Sequence, residues 1–508
     1  MLTHLDPAHS PSRNEGDDSE RLIVVSNRAP VQHWFNESGR LKRSDAGGGV
    51  ATALASVARM APVTWLASPA SDADRMLATA EHAAPLGAHS SVRYVNVPED
   101  AYHLFYEVFC NPVLWFIQHG LEGSLNREVA SAETWRAWEL GYRRVNELYT
   151  DAIVAQLRGG PSGRVMLHDY HFYLVPQMVR ARRPDATLQH FVHIPWPAAH
   201  LWASLPRHMI ASMCRGLLGN DSLVFQTDES VENFLSTCAI YLRDEATVAP
   251  VPGEVRCGGH TTSVWSNPIS VDARELRDAV SSLAADEYRQ RLQCEVGERT
   301  IVRVDRLDPS KDVVAGFLAF ERLLEKHPEW AGKVRFLAFL VPSRTSIPEY
   351  KLYEDQTFAV VDSINARFGR DGWQPIKLYH EHNRLQALVA LTMYDVLLVN
   401  SVADGMNLVS KEGPVLNERD GVLVLSEGAG SHEELHCGAL CVKARDIKGT
   451  ADALHRALKM EPGERNERSQ RLKSCVDRHQ IQDWLRLQMK DLTIAEYVKG
   501  IALPARVR

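Results

Sequence analysis

The residues Val396–Val399 are apolar without interruption, the next two are Asn400 and Ser401, and the chain then reads VADGMNLVSKE over 402–412. An unbroken apolar run of this kind suits a strand covered on both faces, as in a parallel sheet, and so points to an α/β fold. Asp404 and Gly405 break the strand. Leu408, Val409, Glu412, Val415 and Leu416 then follow a helical pattern, so a helix begins in the crevice outside the strand's carboxyl end, where open α/β sheets bind ligands. A helix start offers unpaired N–H groups and a positive dipole end, both suited to a diphosphate. Glu412, about one turn in, is placed to accept hydrogen bonds from both hydroxyls of a ribose, and Asp404 to hold sugar hydroxyls. The same spacing also fits an ordinary strand–loop–helix turn with Asp404 as its N-cap.

A chain of 508 residues exceeds one ordinary core, and roughly 100–200 residues per domain predicts two or three, read here as two large halves. Residues 1–20 are polar and are expected to form a disordered tail. A first domain is expected over 21–267 and a second over 268–485, with a C-terminal helix and tail at 486–508 that packs back on the first. Strands are predicted at Leu22–Val25, Val63–Ala67, Val92–Val97, Val165–His168, Gln189–His193 and Leu223–Gln226. A second set is predicted at Thr300–Val304, Val334–Val341, Ile376–Tyr379, Val396–Val399 and Val422–Leu425, with helical patterns between most of them. Both sets read as doubly wound α/β.

The formal charge of −7 arises from 57 Lys+Arg against 64 Asp+Glu, with no long basic block, which argues against nucleic acid as a partner. No stretch approaches the roughly 20 apolar residues of a membrane span, and the N-terminus lacks a signal peptide's apolar core, so a cytoplasmic protein is expected. Eight scattered cysteines, several inside apolar segments such as those around Cys214 and Cys238, read as buried thiols in a reducing compartment. Cys437 and Cys441, with His436 adjacent, have no second such pair nearby and do not read as a zinc site. No cofactor and no metal are expected. A homo-oligomer is compatible with the sequence.

Several polar residues fall at predicted strand ends. Leu22–Val25 ends in SNRAP, which sets Arg28 at a carboxyl end before Pro30 turns the chain into a loop. Gly47, Gly48 and Gly49 feed a helical pattern over Val50–Met60; such a loop lets a backbone approach a phosphate or sugar closely, but without the full dinucleotide fingerprint it reads, taken alone, as a plain loop. Over Tyr106–His119, Tyr106, Phe109, Val113 and Leu114 fall at helical spacing as core, while Tyr106 and Trp115 are candidates to face a cleft and stack on sugar rings. Asp169 follows one strand and His193 closes another. After a Pro-, Gly- and Thr-rich stretch, Val248–Ser263, the motif NPISVD (267–272) leads into the second half. There Thr300–Val304 runs into DRLDPSK (305–311), and a helix over Asp312–Lys326 buries Val313, Phe317, Phe320, Leu323 and Leu324. Arg306 and Lys311 flank a strand end and a helix start, where two cations would hold a diphosphate and offset the charge that builds on it as a sugar leaves. Arg344 lies just past Val334–Val341.

The motifs SNRAP, GGGVATAL, FYEVFCNPVLW, HDYHFYLVP, FVHIPWP, LLGNDSLVFQT, RVDRLDPSKD, PSR and DGMNLVSKE, in this order, resemble those of the trehalose-6-phosphate synthase family of retaining glycosyltransferases. The likeness runs from about residue 21 to 490. It implies a GT-B architecture, two Rossmann-like domains facing each other across a cleft. It also implies α-glucosyl transfer from a nucleoside diphosphate glucose, UDP- or GDP-linked, to glucose 6-phosphate. At matching positions it assigns Arg28, Tyr106, Trp115 and Arg344 to the phosphorylated acceptor and sets Asp169 between the two sugars. To the donor it assigns Arg306, Lys311 and the loop Asp404, Gly405, Met406, Asn407, Leu408, Val409, Ser410, Lys411 and Glu412, with Gly49 near the phosphates and His193 near the glucose. Asp169, Arg306 and Lys311 are the implied catalytic groups. The chain departs from the family pattern at Ala403 (usually Arg), Pro309 (Tyr), Asp312 and Ser270 (Gly) and Gln118-His119-Gly120 (FHY), positions that bear on base and acceptor. It is similar to an actinobacterial branch that also holds a pseudo-glycosyltransferase, which joins a nucleoside diphosphate cyclitol to an amino-cyclitol phosphate through nitrogen. A catalytically silent sugar-nucleotide sensor is a third reading.

Overall fold

The computed structural model describes residues 22–45, 62–87, 89–125, 128–157, 163–370 and 372–502. The tail 1–20, Gly49 with its two glycine neighbours, and the helix expected over Val50–Met60 lie outside the described residues.

In chain order the first half contributes β1 (Leu22–Val25), β2 (Val31–Phe35), β3 (Leu41–Asp45), β4 (Val63–Ala67), β5 (Ala84–Pro85) and β6 (Ser91–Tyr94). It continues with β7 (Arg164–His168), β8 (Thr187–Phe191), β9 (Ser222–Phe225), β10 (Ala246–Ala249), β11 (Glu254–Cys257) and β12 (His260–Ser266). Ten of these form one sheet in the order β10-β11-β12-β9-β8-β7-β1-β4-β6-β5. From β12 to β6 all neighbours are parallel, and the flanking pairs are antiparallel. The central strands β1, β4, β8 and β9 are buried at every residue; the unbroken apolar run of β1 demands this, whereas β8 also buries Thr187, Gln189 and His190.

The second sheet is wholly parallel, with β13 (Arg299–Arg306), β14 (Val334–Val341), β15 (Ile376–His380), β16 (Val396–Val399), β17 (Val422–Ser426) and β18 (Leu440–Val442) in the order β15-β14-β13-β16-β17-β18. This order reverses direction between β13 and β16. In the first sheet the reversal falls between β1 and β7. At such switch points the loops leaving the strands diverge to opposite faces and open a crevice at the carboxyl ends. Arg28 and Asp169 leave β1 and β7, Arg306 ends β13, and the Asp404 loop follows β16.

Some local expectations are corrected. The chain does not stay a loop after Pro30: β2 and β3 pair as an antiparallel hairpin, largely exposed, and therefore without the apolar run that marks a buried strand. The stretch Val248–Ser263 is part of the antiparallel extension β10–β12. β6 ends at Tyr94, short of Val97, and β8 ends at Phe191, so His193 lies just past the strand and does not close it. The helix after DRLDPSK starts at Val313, because Asp312 adopts left-handed backbone with φ 51°. Over Leu104–Leu114 the run expected at ordinary helical spacing is a π-helix containing Pro112. Proline has no N–H to donate, and the Asn111 side-chain amide donates to the carbonyl of Tyr106 at 2.9 Å.

The last described element is the helix Ile481–Ala502, which lies against the first sheet. The buried Trp484 ring meets Phe191 edge to face at 5.1 Å between centroids, the Gln189 side chain donates to the carbonyl of Gln488, and Arg164 pairs with Glu496 at 2.6 Å. Among the described residues no helix is long and apolar enough to cross a membrane. Trp484→Ala would empty a fully buried site, at an expected cost of about 3–5 kcal/mol. Denaturant unfolding checks this, and a loss below about 1 kcal/mol would show that the terminal helix contributes little to the fold.

Candidate active site

The second-half wall of the crevice depends on one side chain that the motifs did not single out. Arg303 sits inside β13 with its side chain 0% exposed. Its Nε donates to Asp305 at 2.8 Å, Nη1 to the Asn400 side chain at 2.6 Å and Nη2 to the carbonyl of Lys311. Asn400 in turn donates to the carbonyl of Asp312 at 3.0 Å. The turn Pro309–Lys311 is thereby fixed to the ends of both β13 and β16. An arginine set inside the apolar stretch Ile301–Val304 was the available signal.

Beyond this scaffold the cations are paired internally. Arg306, 54% exposed, meets Asp308 at 2.6 Å, and the same carboxylate accepts from Ser343 at 2.5 Å and Arg344 at 3.0 Å. Burial would raise the pKa of Asp308, but Arg306 and Arg344 outweigh it and hold it at about 2. The Lys311 ammonium pairs with Asp404, which also accepts from Asn407 at 3.0 Å. Against the effect of burial, chiefly Lys311 keeps the Asp404 carboxyl below its ordinary range.

Asp404 is not the N-cap of the following helix. That helix is Val409–Leu416, and it is Asn407, at φ 72°, whose side-chain oxygen accepts from Ser410 N at 3.1 Å. Gly405 sits where a Cβ would lie 1.8 Å from the carbonyl oxygen of His193, so only glycine fits between the two halves there. Met406 is buried, and the Ser410 hydroxyl donates to the carbonyl of Asn407 at 2.7 Å. Lys411 is 1% exposed, and its ammonium is engaged by Glu434 at 2.5 Å and the carbonyl of Ile269 at 2.9 Å. The lysine expected among the donor contacts therefore has no free ammonium for a diphosphate. Glu412 lies 3.4 Å from Arg384, and burial raises its pKa. Leu408 and Val409 are half-buried at the helix start.

On the opposite wall, Asp169 follows β7 with φ 75° and ψ 175°, and its carboxylate accepts from His193 N at 3.3 Å. Burial dominates there and lifts its pKa to about 6. Burial also drives His193 down to about 3, so the imidazole is neutral, with Nε2 3.2 Å from Nδ1 of His168. Of the seven described non-glycine residues with positive φ, Asp169, Asp312, Arg344 and Asn407 all border this crevice. Strain gathered in one place is a mark of a functional site.

The two walls meet through aromatic faces. Arg28 is exposed and lies 5.6 Å from the Tyr106 ring centroid. Arg344, from the other half, lies 5.4 Å from that of Trp115 and 5.2 Å from that of Tyr350, and donates to Tyr170 OH at 3.4 Å. Trp115 is 2% exposed and is covered by Arg344 on one side and by His119, stacked at 4.0 Å, on another, so it is less open than expected. Burial would raise the Tyr106 phenol, but Arg344 and Arg28 reverse the shift and lower it. The structure thus brings Arg28, Tyr106, Trp115, Asp169 and Arg344 into one cluster. Tyr170, Tyr350, Asp308 and His119, unassigned from the sequence, belong to it. Among the described residues His327, Glu329 and His455 converge as would-be metal ligands outside this crevice, but the Trp330 indole N–H already donates to His455 Nδ1 at 3.1 Å.

The family model of glycosyltransferase family 20 matches residues 20–494. The chain belongs to this family. This family 20 chain is 32% identical over 485 residues to a UDP-forming alpha,alpha-trehalose-phosphate synthase of Schizosaccharomyces pombe, across 92% of this chain and 90% of that protein. It is 34% identical to a bifunctional trehalose-6-phosphate synthase/phosphatase of Thermoproteus tenax, across 92% of this chain and 62% of the relative. Among solved structures, a UDP-forming alpha,alpha-trehalose-phosphate synthase from Burkholderia xenovorans in complex with glucose-6-phosphate superposes with a TM-score of 0.81 at 28% identity, covering 93% of this chain and 100% of that one. An E. coli protein described as trehalose-6-phosphate, bound with UDP-2-fluoro glucose, gives a TM-score of 0.80 at 27% identity, covering 93% and 99%. The family 20 chain therefore has the GT-B fold, with the switch points of its two sheets facing one another, and is a glycosyltransferase.

The raised pKa of Asp169 has a stability consequence. Between the ordinary 3.8 and about 6 the folded state holds a proton that the unfolded chain has released. The associated stability is fully present below the unfolded pKa and is lost as pH rises through about 6. Asp169→Asn is expected to raise Tm relative to wild type at about pH 8, with the advantage shrinking towards about pH 4. A Tm difference independent of pH would refute the shifted carboxyl.

Proposed function

We propose that the chain transfers glucose, with retention, from a nucleoside diphosphate glucose to glucose 6-phosphate, forming trehalose 6-phosphate. The observation that carries this reading is the pair of guanidiniums, Arg28 and Arg344, flanking one phenol from opposite halves. Asp308 pairs with Arg344, while Arg28 has phenols and that second guanidinium around it, and a phosphate dianion offers both arginines charge-assisted, partly bidentate hydrogen bonds. The relatives supply the chemical context, since one of those structures is a complex with glucose-6-phosphate and another is bound with UDP-2-fluoro glucose. UDP-glucose is accordingly the first donor to test, with GDP-glucose as its comparison. The relatives described above lend no support to the cyclitol-coupling alternative.

In this reading the donor diphosphate lies between Arg306, Lys311 and the start of the helix Val409–Leu416, with its ribose against Glu412. The acceptor's anomeric hydroxyl attacks the glucose C1 from the face that the diphosphate leaves. Its proton passes to an oxygen of that diphosphate, and Arg306 and Lys311 offset the growing charge. A double displacement needs a carboxylate nucleophile at C1, and the matching positions offer none dedicated to it. Asp169 instead takes sugar hydroxyls at the junction, and neutral His193 hydrogen-bonds the donor glucose. The Lys311 ammonium has three N–H donors, so in this reading it keeps Asp404 and meets the diphosphate as well.

Purified protein offered each nucleotide sugar with glucose 6-phosphate or glucose should release nucleoside diphosphate only with a sugar acceptor and strongly prefer the phosphorylated one. Mass spectrometry should show trehalose 6-phosphate. No turnover would favour the sensor reading, and indifference to the phosphate would overturn the acceptor assignment. Arg306→Ala or Lys311→Ala should lower kcat about 100- to 1,000-fold, roughly 2.7–4 kcal/mol of barrier. A raised donor KM at wild-type kcat would mean ground-state binding only. Arg28→Ala and Arg344→Ala should each narrow the kcat/KM ratio of glucose 6-phosphate to glucose, and an unchanged ratio removes that arginine from the site.

A further inference from the structure

Cys437 and Cys475 lie on the second half, outside the crevice, with their sulfurs 3.5 Å apart as free thiols. Cys437 is exposed and follows the short helix His432–Leu435, whereas Cys475 is 9% exposed on the helix Pro462–Arg478. Both border a surface cavity of about 540 Å³ that also touches Asn466, Arg471 and Arg478. Arg478 donates to the Cys475 sulfur at 3.0 Å. The backbone just after Cys437 is pinned to the same helix, since a Cβ on Gly438 would come within 2.7 Å of Leu472. The two thiols are therefore held together by the packing of two elements. Among the described residues no third ligand atom converges with them: Cys441 turns its sulfur to the carbonyl of His436 at 3.8 Å. The arrangement is a dithiol and not a zinc site.

We propose that Cys437 and Cys475 form a modification site, an oxidant-accessible thiol with its resolving partner, which a low-molecular-weight disulfide converts to an intramolecular disulfide. Accessibility orders the steps. The exposed Cys437 thiolate attacks one sulfur of the small disulfide and expels the other half, which takes up a proton and leaves as a thiol. Cys475, on losing its proton, then attacks Cys437 Sγ and expels the second half as another thiol. Two protein thiols are oxidised to one disulfide, and one small disulfide is reduced to two thiols. Burial and the adjacent Cys437 push the Cys475 thiol up while Arg478 opposes them, so Cys475 is a poor target for reagents in solution but a close neighbour of a mixed disulfide on Cys437. The bond would tie the helix Pro462–Arg478 to a segment that supports the crevice, since Ser431 donates its N–H to the carbonyl of Met406 at 2.8 Å and Glu434 holds Lys411.

The test treats the full chain with oxidised glutathione, blocks remaining thiols with N-ethylmaleimide and maps non-reduced peptides by mass spectrometry. The expected product is a Cys437–Cys475 linked pair that lacks two hydrogens and disappears with dithiothreitol. Cys475→Ser should instead retain glutathione on Cys437, and Cys437→Ser should leave Cys475 unmodified. Glutathione retained on Cys437 in the wild type, or Cys437 linked to Cys441, would overturn the proposal. Because Cys437 is exposed, its serine variant keeps the test valid even if substitution at the buried position disturbs folding.

Discussion

A guanidinium cannot be buried in a strand unless its donor nitrogens are met, and that requirement at Arg303 organises the second half. A buried charge left unpaired is destabilising by several kcal/mol, so Asp305, Asn400 and the carbonyl of Lys311 are constrained together. These groups come from β13, from the end of β16 and from the turn between β13 and its helix, the three segments that border the switch point. One internal charge thus sets the distance between the Arg306 and Lys311 side and the Asp404 side. Gly316 completes the arrangement, because a Cβ there would lie 2.4 Å from Arg303 Nη1.

Built on that frame, the cations of the crevice are balanced before any ligand arrives. Asp308 serves Arg306 and Arg344 together, and Asp404 serves Lys311. Such pairing limits the repulsion among the cations and keeps them oriented. An incoming anion therefore meets cations that are already oriented and takes up the N–H donors that the carboxylates leave over. Arg28, exposed against Tyr106, is different: its neighbours are phenols and another guanidinium.

The sequence was most readable where apolar residues ran together, and less so at the equally buried β8, whose Thr187, Gln189 and His190 hid its start. The apolar runs at Leu22–Val25, Val63–Ala67, Val334–Val341 and Val396–Val399 became strands with the expected bounds, since a strand covered on both faces leaves little choice of residue. The exposed β2–β3 hairpin and the β10–β12 extension left no such trace. The π-helical turns around Pro112 were hidden because apolar residues three and four apart look alike in wide and normal helices. At the crevice, strand ends revealed which residues approach it, but not their directions: Lys411 is adjacent to Glu412 in the chain, yet its stem runs into the interior towards Glu434. Arg303 was passed over because a lone arginine is usually a surface residue.

The Gly405 contact has a mechanical side. The loop that follows β16 touches the His193 carbonyl so closely that a methyl group would not fit, and Gly430 is likewise pressed on the Gly405 carbonyl, where a Cβ would lie 2.0 Å away. Here the two lobes meet backbone to backbone, with no flexible side chain as a cushion. Any rigid-body swing of one lobe against the other must either turn about this point as a fulcrum or part it first, and an added methyl at 405 would act as a wedge that props the lobes open.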